Sequence, residues 1–301
     1  MRTRRIAILI DGGFFIKRLS KLVAPQYCDT AEAVAQSAYL LCKRHVQKLV
    51  GEQFNVQRSR WLDHIYRLFY YDASPFDGVA HHPISNQQID FAKSDEAKFR
   101  HELFQHLRKQ RKFALRLGKV TNQDGWQIKK EGVTKKLLRT RDWLHVFDAA
   151  VMQAADGVAP VVLTPENAAQ LQKIADAWRS LDADDLKLGL RQKGVDMRIG
   201  IDITTLTLKK QVDTIILITG DSDFVPAAKV ARREGVEFIL DPMWQSVNDD
   251  LHEHVDGVIS AFRNPAAQRA DEYDEELSQL PQPVAPAQAS GASTTPTPPT
   301  P

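Results

Sequence analysis

The chain has 301 residues, of which 43% are hydrophobic and 26% are charged. These fractions are typical of globular proteins and exclude a wholly disordered, collagen-like or coiled-coil chain. The apolar runs, such as Ile6–Ile10 and Ile215–Ile218, are far shorter than the roughly 20 residues that span a bilayer. Asp11 interrupts the first run too early for a signal-peptide core, so we expect a cytoplasmic protein without a membrane segment. The two cysteines, Cys28 and Cys42, form no CxxC pair, which argues against disulfide scaffolds and thiolate zinc sites.

The formal net charge is only +2, but the charge is distributed unevenly along the chain. Between Lys98 and Arg141, fourteen basic residues stand against three acidic ones. This basic segment predicts a polyanionic partner. The alternative is a solvated helical surface with no specific partner.

The N-terminal part of the chain predicts alternating strands and helices. The run Arg5-Ile-Ala-Ile-Leu-Ile-Asp11 is followed by two glycines, a pattern typical of a buried parallel strand that enters a tight turn. Helices are expected from about Phe14 and over residues 30–49, where apolar residues recur at helical spacing. The aromatic run Tyr66–Asp72 predicts a second strand, which also ends in an acid.

The middle of the chain predicts insertions into this pattern. Residues 95–112 have the composition of a helix. Residues 113–120 and 126–128 flank an Asn-Gln-Asp-Gly turn and predict a basic hairpin. Residues 142–190 are acidic and rich in Ala and Leu at helical spacing, and we interpret them as a helical insertion that serves as a dimer surface or a lid.

The C-terminal part returns to strand, helix and strand. Residues 212–221 repeat the design of the first strand, 226–234 predict a helix, and 236–241 predict another strand. This order favours βαβ units and a parallel sheet. From residue 264 the chain is rich in Pro, Ala, Gln, Ser and Thr, which predicts disorder. We therefore expect one α/β domain over residues 1–262 with insertions at about 95–190, and a disordered tail over 263–301.

Acidic residues follow the predicted parallel strands. The carboxyl ends of such strands form the ligand site of an open α/β sheet, and Asp11, Asp221 and Asp223 lie there. A carboxylate at the end of an apolar strand needs a cation, hydrogen bonds or water. For a single aspartate, helix capping or an Asx turn is the simpler explanation.

Two further acids belong to a helix predicted from Lys193-Gly-Val-Asp196 to about Leu208. Val195, Ile199, Ile203 and Leu206 would form its buried stripe, with Asp196 at the edge and Asp202 inside. For Asp202, a structural hydrogen bond and a catalytic role explain the pattern equally well.

Converging carboxylates repel one another unless divalent cations neutralise them. Mg²⁺ and Mn²⁺ take oxygen ligands and keep several waters, which suits a site built from aspartates. Such ions activate water and stabilise the leaving oxygen in a phosphodiester displacement. The sequence therefore indicates metal-dependent hydrolysis of a nucleic acid.

Three motifs carry a family resemblance: Ile10-Asp-Gly-Gly13, Gln192-Lys-Gly-Val-Asp-Met197 and Leu217-Ile-Thr-Gly-Asp-Ser-Asp-Phe224. Together they resemble the NYN domain of the LabA-like branch, related to PIN-domain nucleases, over roughly residues 4–262 with a poorly matching middle. The resemblance implies a Rossmann-like (PIN-like) three-layer α/β fold with a central, mostly parallel sheet. It also implies a metal-dependent ribonuclease.

The resemblance implies catalytic and metal-binding roles for Asp11, Asp196, Asp221 and Asp223, with Asp202 as a supporting candidate. RNA is the implied substrate, with single-stranded DNA as a second option. Many relatives carry an Asn where this chain has Phe14, so a hydrogen-bonding group near the metal is absent. The residues expected to bind substrate are Lys193 and Ser222 in the motifs, and Lys109, Arg111, Lys112, Lys129 and Lys130 in the basic segment.

Two other functions compete with a nuclease. One is a regulatory protein that binds RNA at the acidic pocket with little or no turnover. The other is a phosphohydrolase of the haloacid dehalogenase type, but that class needs a second acid where this chain has Gly13. The sequence leaves open the RNA, the number of metals, endonucleolytic or exonucleolytic action, and the oligomeric state, a homodimer included.

Overall fold

The computed structural model describes residues 4–50, 60–143 and 164–263. The predicted tail from residue 264 and part of the predicted helical insertion, residues 144–163, lie outside these ranges. Within them, no helix combines the length and the apolar character needed to cross a membrane.

Strands and helices alternate along the chain. The strands are β1 (Ile6–Asp11), β2 (Ile65–Ser74), β3 (Val79–His81), β4 (Gln88–Asp90), β5 (Phe113–Ile128), β6 (Leu186–Lys193), β7 (Thr214–Ile218), β8 (Glu237–Asp241) and β9 (Gly257–Val258). The helices are α1 (Gly12–Leu19), α2 (Ala31–Val50), α3 (Asp95–Lys109), α4 (Glu131–Leu138), α5 (Pro165–Arg179), α6 (Val195–Leu208), α7 (Val225–Arg233) and α8 (Asp249–Glu253).

Seven strands form one sheet in the order β6-β5-β2-β1-β7-β8-β9, and β3 pairs with β4 in a separate two-stranded sheet. The pairs from β2 across β1, β7 and β8 to β9 are parallel, whereas β5 and β6 are antiparallel. The predicted α/β fold with a mostly parallel central sheet is confirmed. The central strands of this sheet include residues 6–10 and 214–218, and every residue in both runs is buried. Strands covered on both faces need such continuous apolar sequences.

The described chain divides into two compact units. Among the described residues, unit 1 contains 4–50, 60–72, 99–117 and 195–263, and unit 2 contains 73–98, 118–143 and 164–194. The core of unit 1 packs β1, β2 and β7 against helices α1, α2 and α3, with α2 contributing Val34, Ala38 and Leu41, which are fully buried. Burying a Val or Leu side chain contributes about 1.5–3 kcal/mol. These values are upper bounds, because the unfolded chain already buries part of its apolar surface.

Two details of the predicted middle segment are wrong. Residues 113–120 and 126–128 do not form a hairpin, because they belong to the single strand β5, which pairs with β6 in register Lys119↔Lys193 to Ile128↔Leu186. The Asn-Gln-Asp-Gly sequence is an irregularity in that strand, where the Asn122 side chain accepts a hydrogen bond from the Gly125 N–H. Residues 186–190 belong to β6 rather than to a helix.

Candidate metal-binding site at the carboxyl ends of the central strands

Asp11 ends β1 and is also the N-cap of α1. Its Oδ1 accepts a hydrogen bond from the Phe14 N–H at 3.1 Å, and its Oδ2 accepts one from the Thr219 hydroxyl at 3.3 Å. Thr219 directly follows β7, so these bonds connect the ends of two adjacent parallel strands. They hold the Asp11 carboxylate in one orientation at the carboxyl edge of the sheet.

Asp221 lies two residues after Thr219 and caps a short 3-10 helix, Ser222–Phe224. Its Oδ1 accepts a hydrogen bond from the Asp223 N–H at 3.0 Å, and its own N–H donates to the Thr219 hydroxyl at 3.3 Å. The capping explanation therefore holds for Asp11 and for Asp221. Capping does not exclude a ligand role, because each carboxylate oxygen has two lone pairs.

Glycines permit the close approach of chain segments around these acids. A Cβ atom at Gly12 would lie 2.7 Å from the backbone oxygen of Tyr71. A Cβ atom at Gly220 would lie 2.7 Å from the Phe14 ring and 2.9 Å from the Gln245 amide nitrogen. Gly12 is therefore required for steric reasons, because the backbone oxygen cannot easily move, whereas a side chain at position 220 would require the Phe14 and Gln245 side chains to shift. The Phe14 ring packs against Gly220.

Asp196 lies in the first turn of α6 and is exposed. Its pKa is raised, first by partial burial of the carboxyl group and then by the negative charges of Asp221 and Asp223. The pKa of Asp11 is also raised, mainly by burial and further by the charge of Asp196, while the hydrogen bond from Phe14 opposes the increase. The four predicted acids thus lie close enough for their charges to interact.

These acids do not form a ready-made coordination shell. Over residues 4–50, 60–143 and 164–263, no group of three or more His, Cys, Asp or Glu side chains is close enough to hold a metal ion. The four aspartates nevertheless suit a hard cation, because all four side chains are carboxylates and their negative charges repel one another. Mg²⁺ commonly uses one or two carboxylates and keeps several waters.

Asp202 has a different environment from the four acids. Its Oδ2 accepts hydrogen bonds from the Tyr71 hydroxyl at 2.8 Å and from Arg116 Nε at 2.9 Å. The Arg116 guanidinium also lies over the Phe69 ring, 5.3 Å from its centroid. This network connects α6 to β2 and β5 and gives Asp202 a structural role, through side chains rather than through the backbone.

Asp72, the acid predicted to end the second strand, lies within β2, which continues to Ser74, and its charge is compensated inside the fold. Its side chain is only 1% exposed and pairs with Arg100 of α3. Its charge contributes to the raised pKa of Asp11. Arg100 belongs to the basic segment, so one of the charges that suggested a polyanion instead compensates a buried acid.

Some of the predicted substrate-binding residues bond to other groups of the protein, and others are exposed. Lys112 donates to the Ile65 carbonyl, Lys129 donates to the Asp184 carbonyl, and Lys130 pairs with Asp185 at 2.9 Å. The exposed members are Lys109 and Arg111 in unit 1 and Lys193 in unit 2, and Ser222 is half-buried in unit 1.

A groove of about 580 Å³ lies between α6 and α7 and was not predicted from the sequence. Its lining includes the acids Asp196 and Asp223 together with Met197, Ile201 and Val230. Met197 and Ile201 are 71% and 56% exposed, on the face of α6 opposite its buried stripe. The continuation of the apolar pattern around α6 was the available signal for this groove.

The mostly parallel sheet flanked by helices, with acids at its carboxyl edge, is consistent with the PIN-like class of α/β folds. Within this class, residues 157–262 match the family model of the NYN domain, which confirms the expected resemblance over that region. NYN domains belong to the PIN-like superfamily and are generally nucleases. The matched region contains Asp196, Asp221 and Asp223 but not Asp11, and the LabA-like branch stays a prediction.

Comparison with other proteins adds little to this assignment. No curated protein matches the chain. The chain is similar to a solved structure from Vibrio parahaemolyticus, described as a protein of unknown function, with 13% sequence identity and a TM-score of 0.33. That similarity covers 86% of this chain and 96% of the other.

Proposed function

We propose that this protein is a metal-dependent ribonuclease that hydrolyses RNA phosphodiester bonds at Asp11, Asp196, Asp221 and Asp223. One observation carries the proposal: the four acids lie close enough for their charges to interact. Burial and then the charges of Asp221 and Asp223 raise the pKa of Asp196, and burial and then the charge of Asp196 raise the pKa of Asp11. Mutual repulsion of this kind is costly unless a cation binds, and perturbed carboxylates are typical of functional sites.

The four carboxylates would hold Mg²⁺ or Mn²⁺. The bound cation supplies Lewis-acid chemistry that favours deprotonation of water and stabilises negative charge on the phosphate. Thr219 and the Phe14 N–H orient the Asp11 carboxylate before substrate arrives. Asp196 is exposed, so its carboxylate is accessible to a bound cation and to substrate.

RNA is the proposed substrate, and single-stranded DNA is the second option. Ser222 follows Asp221 directly and Lys193 precedes Asp196 by three residues, so both belong to the motifs that contain the acids. We retain Lys193, Lys109 and Arg111 as phosphate-binding candidates because they are exposed. Lys112, Lys129 and Lys130 are weaker candidates, because substrate would compete with their internal partners. We propose a cytoplasmic location on the sequence grounds given above.

An RNA-binding protein with little turnover is the second candidate function. Two observations favour it: the described residues contain no preassembled group of three metal ligands, and the Phe14 ring occupies the space beside Gly220. Such a protein would bind RNA with the same acids and basic residues but would not cleave it. The phosphohydrolase alternative has no comparable support.

The experiment is incubation of the full-length protein with labelled RNA, labelled single-stranded DNA and a phosphate monoester, each with Mg²⁺, Mn²⁺ or EDTA. We expect cleavage of RNA that requires metal. RNA binding without cleavage in either metal would establish the second candidate. Hydrolysis of the monoester alone would instead support the phosphohydrolase.

A further inference from the structure

Two consecutive residues after β8 adopt a backbone conformation that is unusual for their side chains. Met243 and Trp244 have φ angles of 48° and 60°. This left-handed region is common for Gly and Asn but is a genuine outlier for bulky residues. Holding one residue there costs on the order of 1–3 kcal/mol, so the surrounding structure must impose the conformation.

Hydrogen bonds from three directions impose it. Asp241 Oδ1 accepts from the Met243 N–H at 2.7 Å, and the Arg18 guanidinium of α1 donates twice to the Met243 carbonyl, at 2.7 and 3.2 Å. The Ser260 hydroxyl accepts from the Trp244 N–H at 3.0 Å. Met243 is fully buried, which anchors the turn in the core of unit 1.

The result of this arrangement is an exposed tryptophan ring in a fixed position. Trp244 is 47% exposed, while its indole Nε1–H donates to the Phe262 carbonyl at 2.8 Å. The polar edge of the ring is thereby fixed, and much of the ring surface faces solvent. An exposed Trp held by its N–H and by strained backbone is not explained by core packing.

This tryptophan belongs to a loop that contacts the candidate metal-binding site. The next residue, Gln245, lies so close to Gly220 that a Cβ atom there would approach its amide nitrogen to 2.9 Å. Gly220 immediately precedes Asp221. Arg18, which fixes Met243, belongs to the helix that Asp11 caps. All these residues belong to unit 1.

We infer that Trp244 is a nucleobase-binding platform on which one unpaired base of the nucleic-acid substrate stacks. This inference depends on the proposed function, because it assigns the ligand as a nucleotide of the bound RNA. Aromatic stacking accepts every base, since every base has a π face, so the platform fixes the position of the strand and not its sequence. A rigid aromatic ring also loses little conformational entropy when a base binds.

The test measures binding of fluorescently labelled single-stranded RNA to the full-length protein, with EDTA present so that no cleavage occurs. Trp244→Ala should weaken binding about tenfold, within the range known for base–aromatic stacking. Trp244→Phe keeps a stacking ring but loses the bond to Phe262, and should bind within about threefold of the parent. Trp178→Ala is the matched control, because Trp178 is 53% exposed on α5 of unit 2, and it should bind like the parent.

A second series uses the unchanged protein and RNAs in which one nucleotide at a time is abasic. At one position, the abasic RNA should bind the parent about tenfold more weakly than the intact RNA. Trp244→Ala should bind that abasic RNA and the intact RNA with equal affinity. If Trp244→Ala fails to fold, the parent alone still tests the inference, because an abasic series in which no position lowers its affinity would overturn the platform.

The outcomes separate the two proposals. If the parent does not bind RNA, the proposed function fails and the platform fails with it. If the parent binds RNA but Trp244→Ala binds equally well, or no abasic position matters, only the platform is overturned. Equal loss in Trp244→Phe and Trp244→Ala would also overturn it, because the bond to Phe262 would then be the important feature.

Discussion

The buried Asp241 carboxylate is predicted to be one of the most important polar groups for the stability of unit 1. It ends β8 with 0% exposure and accepts three hydrogen bonds, from Met243 N–H at 2.7 Å, Ala261 N–H at 3.1 Å and His45 Nε2 at 2.7 Å. His45 is equally buried. One carboxylate therefore connects α2, β8 and residue 261.

Replacing Asp241 with Asn changes the bonds in a definable way. The amide oxygen can still accept from Met243, but the amide N–H₂ group then faces the donors at Ala261 and His45. His45 can exchange tautomers and accept a bond, whereas the Ala261 N–H cannot. An unsatisfied buried donor costs about 1–3 kcal/mol, and a lost bond to a charged group costs about 1.5–3 kcal/mol.

We therefore expect Asp241→Asn to lower the free energy of unfolding by about 3 kcal/mol. At roughly 2–4 °C per kcal/mol for a domain of this size, the Tm should fall by about 6–12 °C. The assay is thermal unfolding followed by circular dichroism, with Asp249→Asn as the control because Asp249 is an exposed aspartate near the start of α8.

A double-mutant cycle with His45→Leu tests the pairing itself. The two substitutions together should cost less than the sum of their separate effects, since each removes the bond between the His45 ring and the Asp241 carboxylate. The reasoning is refuted if Asp241→Asn melts within about 2 °C of the parent, or if the two effects add fully.

Three further predictions concern residues around the candidate site. Asp11→Asn keeps a good N-cap and should not lower the Tm at pH 7. Because the pKa of Asp11 is raised in the folded protein, ionisation of this acid destabilises the fold, and the parent loses stability as the pH rises through that pKa. Any increase in the Tm of the variant over the parent should therefore become smaller in acid. Thermal unfolding across pH 4–8 checks this, and a gain that grows as the pH falls would contradict it. Gly12→Ala should lower the free energy of unfolding in urea by about 1–3 kcal/mol, because the new methyl group would lie 2.7 Å from the backbone oxygen of Tyr71. An unchanged urea midpoint would contradict this prediction. Tyr71→Phe removes the hydrogen bond to Asp202 and should lower the free energy of unfolding by about 1 kcal/mol, while the cleavage rate stays within about twofold of the parent. A loss of activity without a loss of stability would instead assign Asp202 to the reaction.

The strands and their terminal acids could be predicted because their signals are local. Short apolar runs predicted β1, β7 and β8, and the parallel arrangement brings Asp11 and Asp221 to one edge of the sheet. The helical spacing of Val195, Ile199 and Ile203 likewise located α6 and its buried stripe. These signals consist of the spacing of apolar residues along a strand or a helix, which can be seen in the sequence itself.

Features that depend on distant partners could not be predicted in the same way. The charge of Lys130 suggested RNA, but its partner Asp185 lies 55 residues away in sequence and the pairing depends on the β5–β6 register. That register was missed because the irregularity between Asn122 and Trp126 resembles a hairpin turn. The left-handed Trp244 had no sequence signal, since neither Gly nor Asn occupies the position.

Single-turnover cleavage of labelled RNA in Mg²⁺ tests the central claim most directly. The parent is compared with Asp11→Asn, Asp196→Asn, Asp221→Asn and Asp223→Asn, and with Asp77→Asn as an exposed control in unit 2. We expect each of the four site variants to fold and to lose on the order of 100-fold or more in rate, since each removes charge that acts on the transition state, while the control keeps the parent rate. Cleavage that persists in all four variants would contradict the account, because the reaction would then take place elsewhere.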